Sequence, residues 1–412
     1  MSGEWRTGRR VAVVGAGPGG LSAAIAFLQA GYDVRIFERA EQPKPLGGAV
    51  LLPVPVMAIL RSYGIDIENN FGSKTITHFA NNRDKLRATL PFNRSVEQAF
   101  GIEGWHYGIL RMNAYDKMMR VLADRAPAAL IAGHALDRYE DAPGGIRLHF
   151  TNGAEVEADL LVGADGIRSA VSRQAFGDPG LFHIGLRVWL AWCEDLPGID
   201  RDHGYIHHSR SLQASYFPMK HDGRPGFEWW LVEQSDPAQP APADIRAHLM
   251  SRLSAFPPVL RRLAENTDFT TQVFPWEIYN RPSLSSWCTG RVACVGDAVH
   301  PVSPYAAYGM GMAIEDGYFL ARAMKGQALT PENIAEGCRA YEAERVAYCN
   351  HHVEFARKMG NQFHRAPSPV ALLRDLVFDH TPVLQTLIAK DYLADAERMS
   401  LSLKELHVAR DG

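Results

Sequence analysis

The stretch from Val11 to Glu38 limits the possible folds more than any other part of this chain. Val11 to Gly15 reads VAVVG, an apolar run that predicts a buried strand. Gly15-Ala16-Gly17-Pro18-Gly19-Gly20 follows as a tight turn, and small residues from about Gly19 to Ala30 predict a helix that Gly31 stops. Asp33 to Glu38 (DVRIFE) predicts the next strand. Strand, turn, helix and strand in so short a span form a βαβ unit, which commits the chain to a parallel sheet covered by helices.

The turn carries chemistry as well as shape. Glycines at 15, 17 and 20 match the G-x-G-x-x-G spacing of dinucleotide sites. Gly15 permits the turn, Gly17 lets the backbone approach a pyrophosphate, and Gly20 lets helix and strand pack closely. The unpaired N–H groups of the helix N-terminus suit phosphate. Glu38 ends the second strand and is placed to accept hydrogen bonds from ribose hydroxyls. Its charge disfavours a 2′-phosphate, so the bound ligand is expected to be FAD or NAD rather than NADP.

With 412 residues the chain is too long for one ordinary core of ~100–200 residues, and two interleaved domains are expected. After a loop at Ala40–Gly48, Pro53–Tyr63 reads as helix, Thr75–Ala80 and Trp105–Leu110 as strands, and Asn113–Asp124 as helix. Ala135–Glu140, Gly145–Phe150 and Ala154–Ala158 alternate like an antiparallel meander, and Leu160–Gly163 reads as a strand rejoining the first sheet. Aromatic-rich strands then follow at Leu186–Trp192, Leu212–Met219, Phe227–Val232 and Thr270–Ile278, with helix expected over Ala241–Ala264. From Arg291 a strand (VACVG) returns to the first sheet, a long helix begins near Gly309, and the rest to about Leu406 reads as mostly helical. The expected class is therefore mixed α/β: a Rossmann-type domain (1–180 with 279–330), an inserted β-sheet substrate domain (181–278) and a helical C-terminal region (331–412).

Bulk properties exclude several functions. Net charge is −3 with both signs dispersed, which argues against nucleic acid and anionic membranes as partners. No apolar run approaches the ~18 residues of a membrane span, and Met1–Arg10 lacks the apolar core of a secretory signal. The five cysteines contain no C-x-x-C pair and read as reduced thiols in a cytoplasmic protein. The 16 histidines show no metal-binding spacing. Monomer and homodimer both remain open.

Two further motifs sharpen the nucleotide reading. Asp159–Arg173 (DLLVGADGIRSAVSR) brings Asp165-Gly166 to the end of a strand, and Arg291–Asp316 (RVACVGDAVHPVSPYAAYGMGMAIED) does the same for Gly296-Asp297. Together with GAGPGG, in this order and over residues 10 to about 325, they resemble the class A FAD-dependent monooxygenases, the family of salicylate hydroxylase and p-hydroxybenzoate hydroxylase.

That resemblance implies FAD as cofactor, NADH or NADPH as a transient co-substrate, and O2 and a small aromatic compound as substrates. It implies oxygen transfer from a flavin C4a-hydroperoxide, with the protein supplying orientation and dryness. Asp297 would hydrogen-bond the ribityl chain, and Gly309 and Met310 would face the pyrimidine end of the flavin at a helix N-terminus. Arg111 would lie beside FAD, Arg39 near the adenosine, and Val50 and Leu136 would offer backbone contacts. Pro301 would border flavin and substrate. Asp165-Gly166 is read either as a nucleotide contact or as a support of the fold. The chain departs from the family in Gly47-Gly48-Ala49-Val50 and in Ala306-Ala307-Tyr308.

Substrate contacts are expected from the aromatic strands. Gln213, Tyr216 and Trp230 are the main candidates, beside Phe217, Trp189 and Trp229. Tyr216, His208 and Pro301 are the candidates for a catalytic role, the first two by hydrogen-bonding or deprotonating a phenol. Leu190 stands near the place where some members carry a carboxylate-binding arginine, with Arg187 three residues earlier, which favours a neutral phenolic, heteroaromatic or polyketide-like substrate. Epoxidation, Baeyer–Villiger insertion and a non-catalytic flavin sensor are the alternatives. Trp189-Leu190-Ala191-Trp192 lacks the spacing of a flavin halogenase.

Overall fold

A computed structural model describes residues 5–44, 47–90, 94–303 and 308–390, together with Arg398 and Ser402. Its first sheet has six strands in the order Cys288–Thr289, Val292–Cys294, Leu160–Gly163, Arg10–Val14, Asp33–Phe37, Leu130–Ile131. All neighbours are parallel except the first two. Arg10–Val14 and Leu160–Gly163 are buried throughout, which is why both read as unbroken apolar runs rather than alternating ones. The chain winds outward from Arg10–Val14 in one direction, then returns on its other side through Leu160–Gly163. The crevice at the C-terminal ends of these two strands is the switch point where open α/β sheets bind ligands.

Local packing explains the glycines there. Gly15 has φ +103°, and a Cβ on it would meet the Ala164 carbonyl oxygen at 2.4 Å. A Cβ on Gly20 would come within 2.0 Å of the Gly15 carbonyl oxygen. The helix Pro18–Gln29 packs directly on the helix Gly309–Ala323: a Cβ on Gly317 would lie 2.4 Å from the Ala23 nitrogen. The long helix Pro331–His364 packs on the same layer through Tyr341, Arg345 and Cys349, so this part of the expected C-terminal region belongs to the core of the first sheet. The end of that region lies outside the described residues, apart from Arg398 and Ser402.

The second sheet has nine strands, and the expected boundary at 181 does not contain it. Val273–Asn280, Phe182–Glu194, Arg224–Gln234, Gln213–His221 and His203–His208 come from the anticipated segment. Ser73–Asn81, Leu86–Thr89, His106–Leu110 and Ala49–Pro53 come from far earlier in the chain. The two sets join where His203–His208 runs parallel to Ser73–Asn81, from His203↔Ile76 to His208↔Asn81. A pairing of such sequence separation leaves no local signature. The strand at Ala49–Pro53 was itself hidden by flanking glycines and prolines.

One face of this sheet is covered by two helices, Ile245–Leu253 and Pro258–Glu265, in place of the single expected one. Pro257 caps the second helix, and the Pro257-Pro258 pair breaks the run because proline cannot continue a helix. The meander is formed by Leu136–Ala142, Gly145–Phe150 and Glu155–Ala158. Among the described residues no helix is long and apolar enough to cross a membrane.

Candidate active site

A cavity of about 610 Å³ runs from the nucleotide turn to the face of the second sheet opposite these two helices. At one end it is lined by Gly17, Pro18 and Gly19, by Arg39, Val50, Arg111 and Asp165, and by Asp297, Gly309 and Met310. At the other end Val188, Leu190, Phe217, Glu228, Trp230 and Val232 line it, and Pro301 lies on the loop leading from Asp297 to the Gly309–Ala323 helix.

The first end fits a dinucleotide. A Cβ on Gly17 would meet nothing within 4 Å, so the backbone is open to an approaching group. Helix Pro18–Gln29 has no side-chain cap and no acidic residue in its first turn, and the same holds for Gly309–Ala323. Two helix N-termini therefore keep their N–H groups and partial positive charge for a ligand. Arg111 Nε is buried without a hydrogen-bond partner among the described residues. Burial lowers the Arg111 guanidinium, against the attraction of Asp297. Asp297 opens to the cavity and is solvent-accessible there. Burial raises its carboxyl, opposed by His300, Arg111 and Arg281. Half-buried Arg111 and cavity-facing Asp297 thus present a cation and a carboxyl to the open end of the cavity, the polar groups that a dinucleotide's phosphates and hydroxyls would require.

Other residues named from the sequence lie elsewhere. Gly15 and Gly20 shape the turn without lining the cavity. Glu38 braces the turn from behind it: its Oε2 accepts the Ala16 N–H at 2.8 Å and its Oε1 the Ala40 N–H at 2.9 Å. Leu136 stands on the meander, outside the lining. Asp165 lines the cavity, but its carboxylate accepts the Ser169 hydroxyl and the N–H groups of Ala170 (2.6 Å) and Val171 (3.3 Å). It holds the start of helix Ala170–Phe176.

Beneath the first end lies a buried ionic cluster. Arg345 Nε bonds Asp316 at 2.9 Å and its Nη2 bonds Glu315 at 2.8 Å, with all three side chains sealed from solvent. Asp316 also pairs with His300 and accepts the Gly296 N–H at 2.9 Å. Burial alone would raise the Asp316 carboxyl, but His300 and Arg345 hold it down to about 2. Burial would lower the His300 imidazole, yet Asp316 raises it well above the ordinary range. Tyr308 donates its hydroxyl to Glu315, and its ring lies against Gly311. The cluster thus ties down both flanks of the loop that carries Pro301. Ala306 and Ala307 fall outside the described residues.

Strand alternation decides which aromatic residues reach the cavity. Val188, Leu190, Phe217, Trp230 and Val232 face it, and Trp230 meets Phe217 edge-on at 5.6 Å. Tyr216 is one residue out of phase. It packs on Tyr205 (5.6 Å) and the helix-covered core, so it does not serve the cavity as expected. Trp189 and Trp229 also point to the helices, donating to Glu233 and Thr267 at 2.8 Å each. Gln213 shares the phase of Phe217 but lies four residues along the strand, ~13 Å away. There Gln213 bonds His208 at 3.1 Å, and His208 packs on Phe363 at 4.2 Å. His208 and Gln213 are therefore structural neighbours outside the lining. Arg187 is engaged by Glu277 and does not line the cavity either.

The residue that sequence reasoning missed is Glu228. It is 1% exposed, lines the cavity and accepts the Ala49 N–H at 2.8 Å through Oε2. Its Oε1 has no hydrogen-bond partner among the described residues. Burial pushes this carboxyl well above the ordinary glutamate range, and the Ala49 hydrogen bond only partly opposes that. The available signal was one acidic residue inside the apolar run Phe227–Val232.

The chain matches the family described as "FAD binding domain" over residues 9–356. It is 28% identical to the "Aurachin C monooxygenase/isomerase" of Stigmatella aurantiaca, across 86% of this chain and 90% of that one. It is also 28% identical to the "6-hydroxynicotinate 3-monooxygenase" of Pseudomonas fluorescens, across 83% and 90%. Among solved structures, Klebsiella pneumoniae HpxO complexed with FAD and uric acid superposes with a TM-score of 0.79 at 22% identity, covering 96% of this chain and 98% of that one. With the match spanning nearly the whole described core, the chain belongs to the FAD binding domain family and, within it, to the class A FAD-dependent aromatic monooxygenases.

Proposed function

We propose that this monooxygenase uses NADH or NADPH and O2 to hydroxylate a small, uncharged phenolic or heteroaromatic substrate. One oxygen atom enters the ring and the other leaves as water. The observation that carries the reading is the single cavity joining two uncapped helix N-termini to an apolar strand face. Bound FAD supplies the redox chemistry, taking hydride from the nicotinamide and activating O2.

The residues of the chain do the rest. The N–H groups after Gly17 hold the pyrophosphate, and Arg111 and Arg39 compensate its charge. Asp297 accepts from the ribityl hydroxyls. The N-terminus at Gly309 and Met310 favours negative charge on the pyrimidine end of the flavin. Pro301 walls the passage between the two halves. Leu190, Phe217, Trp230 and Val232 position the ring and exclude water. Among the described residues the cofactor half is the only one of the two that carries arginines on the cavity wall, at Arg39, Arg111 and Arg168. This supports an uncharged substrate.

The test begins with the visible spectrum of the purified protein. NAD(P)H oxidation is then followed with a panel of phenols and hydroxylated heteroaromatics under labelled oxygen gas. Substrate-stimulated oxidation with one labelled atom in the product is expected. A colourless protein that cannot be reconstituted with FAD would overturn the reading.

A further inference from the structure

Of the four carboxyl groups on the cavity wall among the described residues, two are engaged within the protein. Asp165 caps a helix, and Glu277 is bound by Arg187, His183 and Ser235. Asp297 belongs to the cofactor end. Glu228 alone projects from the apolar face, opposite Phe217 on one neighbouring strand and Trp192 on the other. One oxygen is anchored on Ala49 N–H, and the other meets neither a donor nor a cation among the described residues. Gly48 makes room for it, because a Cβ there would lie 2.1 Å from Glu228 Oε1. A polar atom held where the apolar strand face meets the Gly48-Ala49 backbone, on a residue that lines the cavity, is a built contact point without a partner among the described residues.

We infer that Glu228 is the specificity-determining residue of the substrate half, hydrogen-bonding the ring-borne hydroxyl or keto oxygen of an uncharged aromatic and disfavouring ring carboxylates. This deepens the proposed function and rests on it. An uncharged carboxyl can give its Oε1–H to such an oxygen while Oε2 keeps the Ala49 bond. A ring carboxylate in the same place would be desolvated between Leu190, Phe217 and Trp230 with no cation beside them among the described residues.

The experiment is calorimetric binding of naphthalene, 1-naphthol and 1-naphthoate to the FAD-loaded enzyme, with flavin absorbance recorded for every variant. The wild-type protein should bind 1-naphthol about ten-fold tighter than naphthalene or 1-naphthoate. Glu228→Leu should erase the preference for 1-naphthol over naphthalene while keeping the flavin. Glu228→Gln, whose amide still bonds a ring oxygen, should retain it within about three-fold. Gly48→Ala should weaken it by displacing Oε1. A wild-type enzyme that binds 1-naphthoate as tightly as 1-naphthol would overturn the inference. So would a Leu variant that keeps the preference. A protein without flavin would sink the proposed function instead, and the ligand preference could still be read on it.

Discussion

At the cofactor end of the cavity His300, Glu315, Asp316 and Arg345 are buried together and answer one another. At the substrate end Glu228 is buried without a counter-charge. The contrast separates two uses of a buried ionisable group. In the cluster that holds the loop beneath the cofactor end, each of these four charges meets an opposite one, and removing a partner weakens the others. Where a ligand is to be recognised, a polar atom is left unmatched, and the folded protein carries the cost until the ligand arrives.

Four predictions follow from this contrast. The largest effect is expected from Arg345→Met, which leaves Glu315 without a counter-charge and Asp316 with His300 alone. It should cost about 3–5 kcal/mol in urea unfolding and release FAD. Next is Asp316→Asn, which tests the same cluster by pH. The Asp316 carboxyl lies below its unfolded value, so its contribution of roughly 2 kcal/mol is present above about pH 4 and lost as pH falls toward 2. The wild type should therefore lose stability more steeply than the variant across that window. The raised His300 gives the opposite sign: its share is full below about pH 6.5 and fades as pH rises through its folded value.

Glu228→Leu should behave in the opposite way to Arg345→Met, stabilising the ligand-free protein by about 1–3 kcal/mol. Because the Glu228 carboxyl is raised in the folded state, the wild type loses stability as pH climbs above about 4, and the variant's advantage should grow toward neutrality. Equal effects of the two substitutions would erase the distinction between the ends. The smallest effect is expected from Tyr216→Phe, which should change 1-naphthol affinity less than about two-fold, since this side chain faces the helices.

The cofactor half was readable because its determinants are local. Three glycines in six residues, a carboxylate ending the next strand and two strand-loop motifs each sit within a short window. The doubly buried strands also read as apolar runs. The substrate half was readable as strands but not as faces. Alternation shows that Tyr216 and Phe217 point opposite ways, yet which of them meets the cavity depends on where helices Ile245–Leu253 and Pro258–Glu265 dock. The same ambiguity hid the role of Glu228, and the pairing with Ser73–Asn81 could not be inferred from residues so far apart.

The close contact between the helices that begin at Pro18 and Gly309 has a consequence for how the protein is made. Ser22 donates to the Ile314 carbonyl at 2.6 Å across 292 residues of chain. At synthesis rates of ~5–20 residues per second, the nucleotide turn leaves the ribosome tens of seconds before the helix that completes its wall. The wall formed by these two helices is therefore completed late, after both stretches of the second sheet have been made. A nascent chain that stalls short of Gly317 lacks the helix-on-helix contact that backs the nucleotide turn.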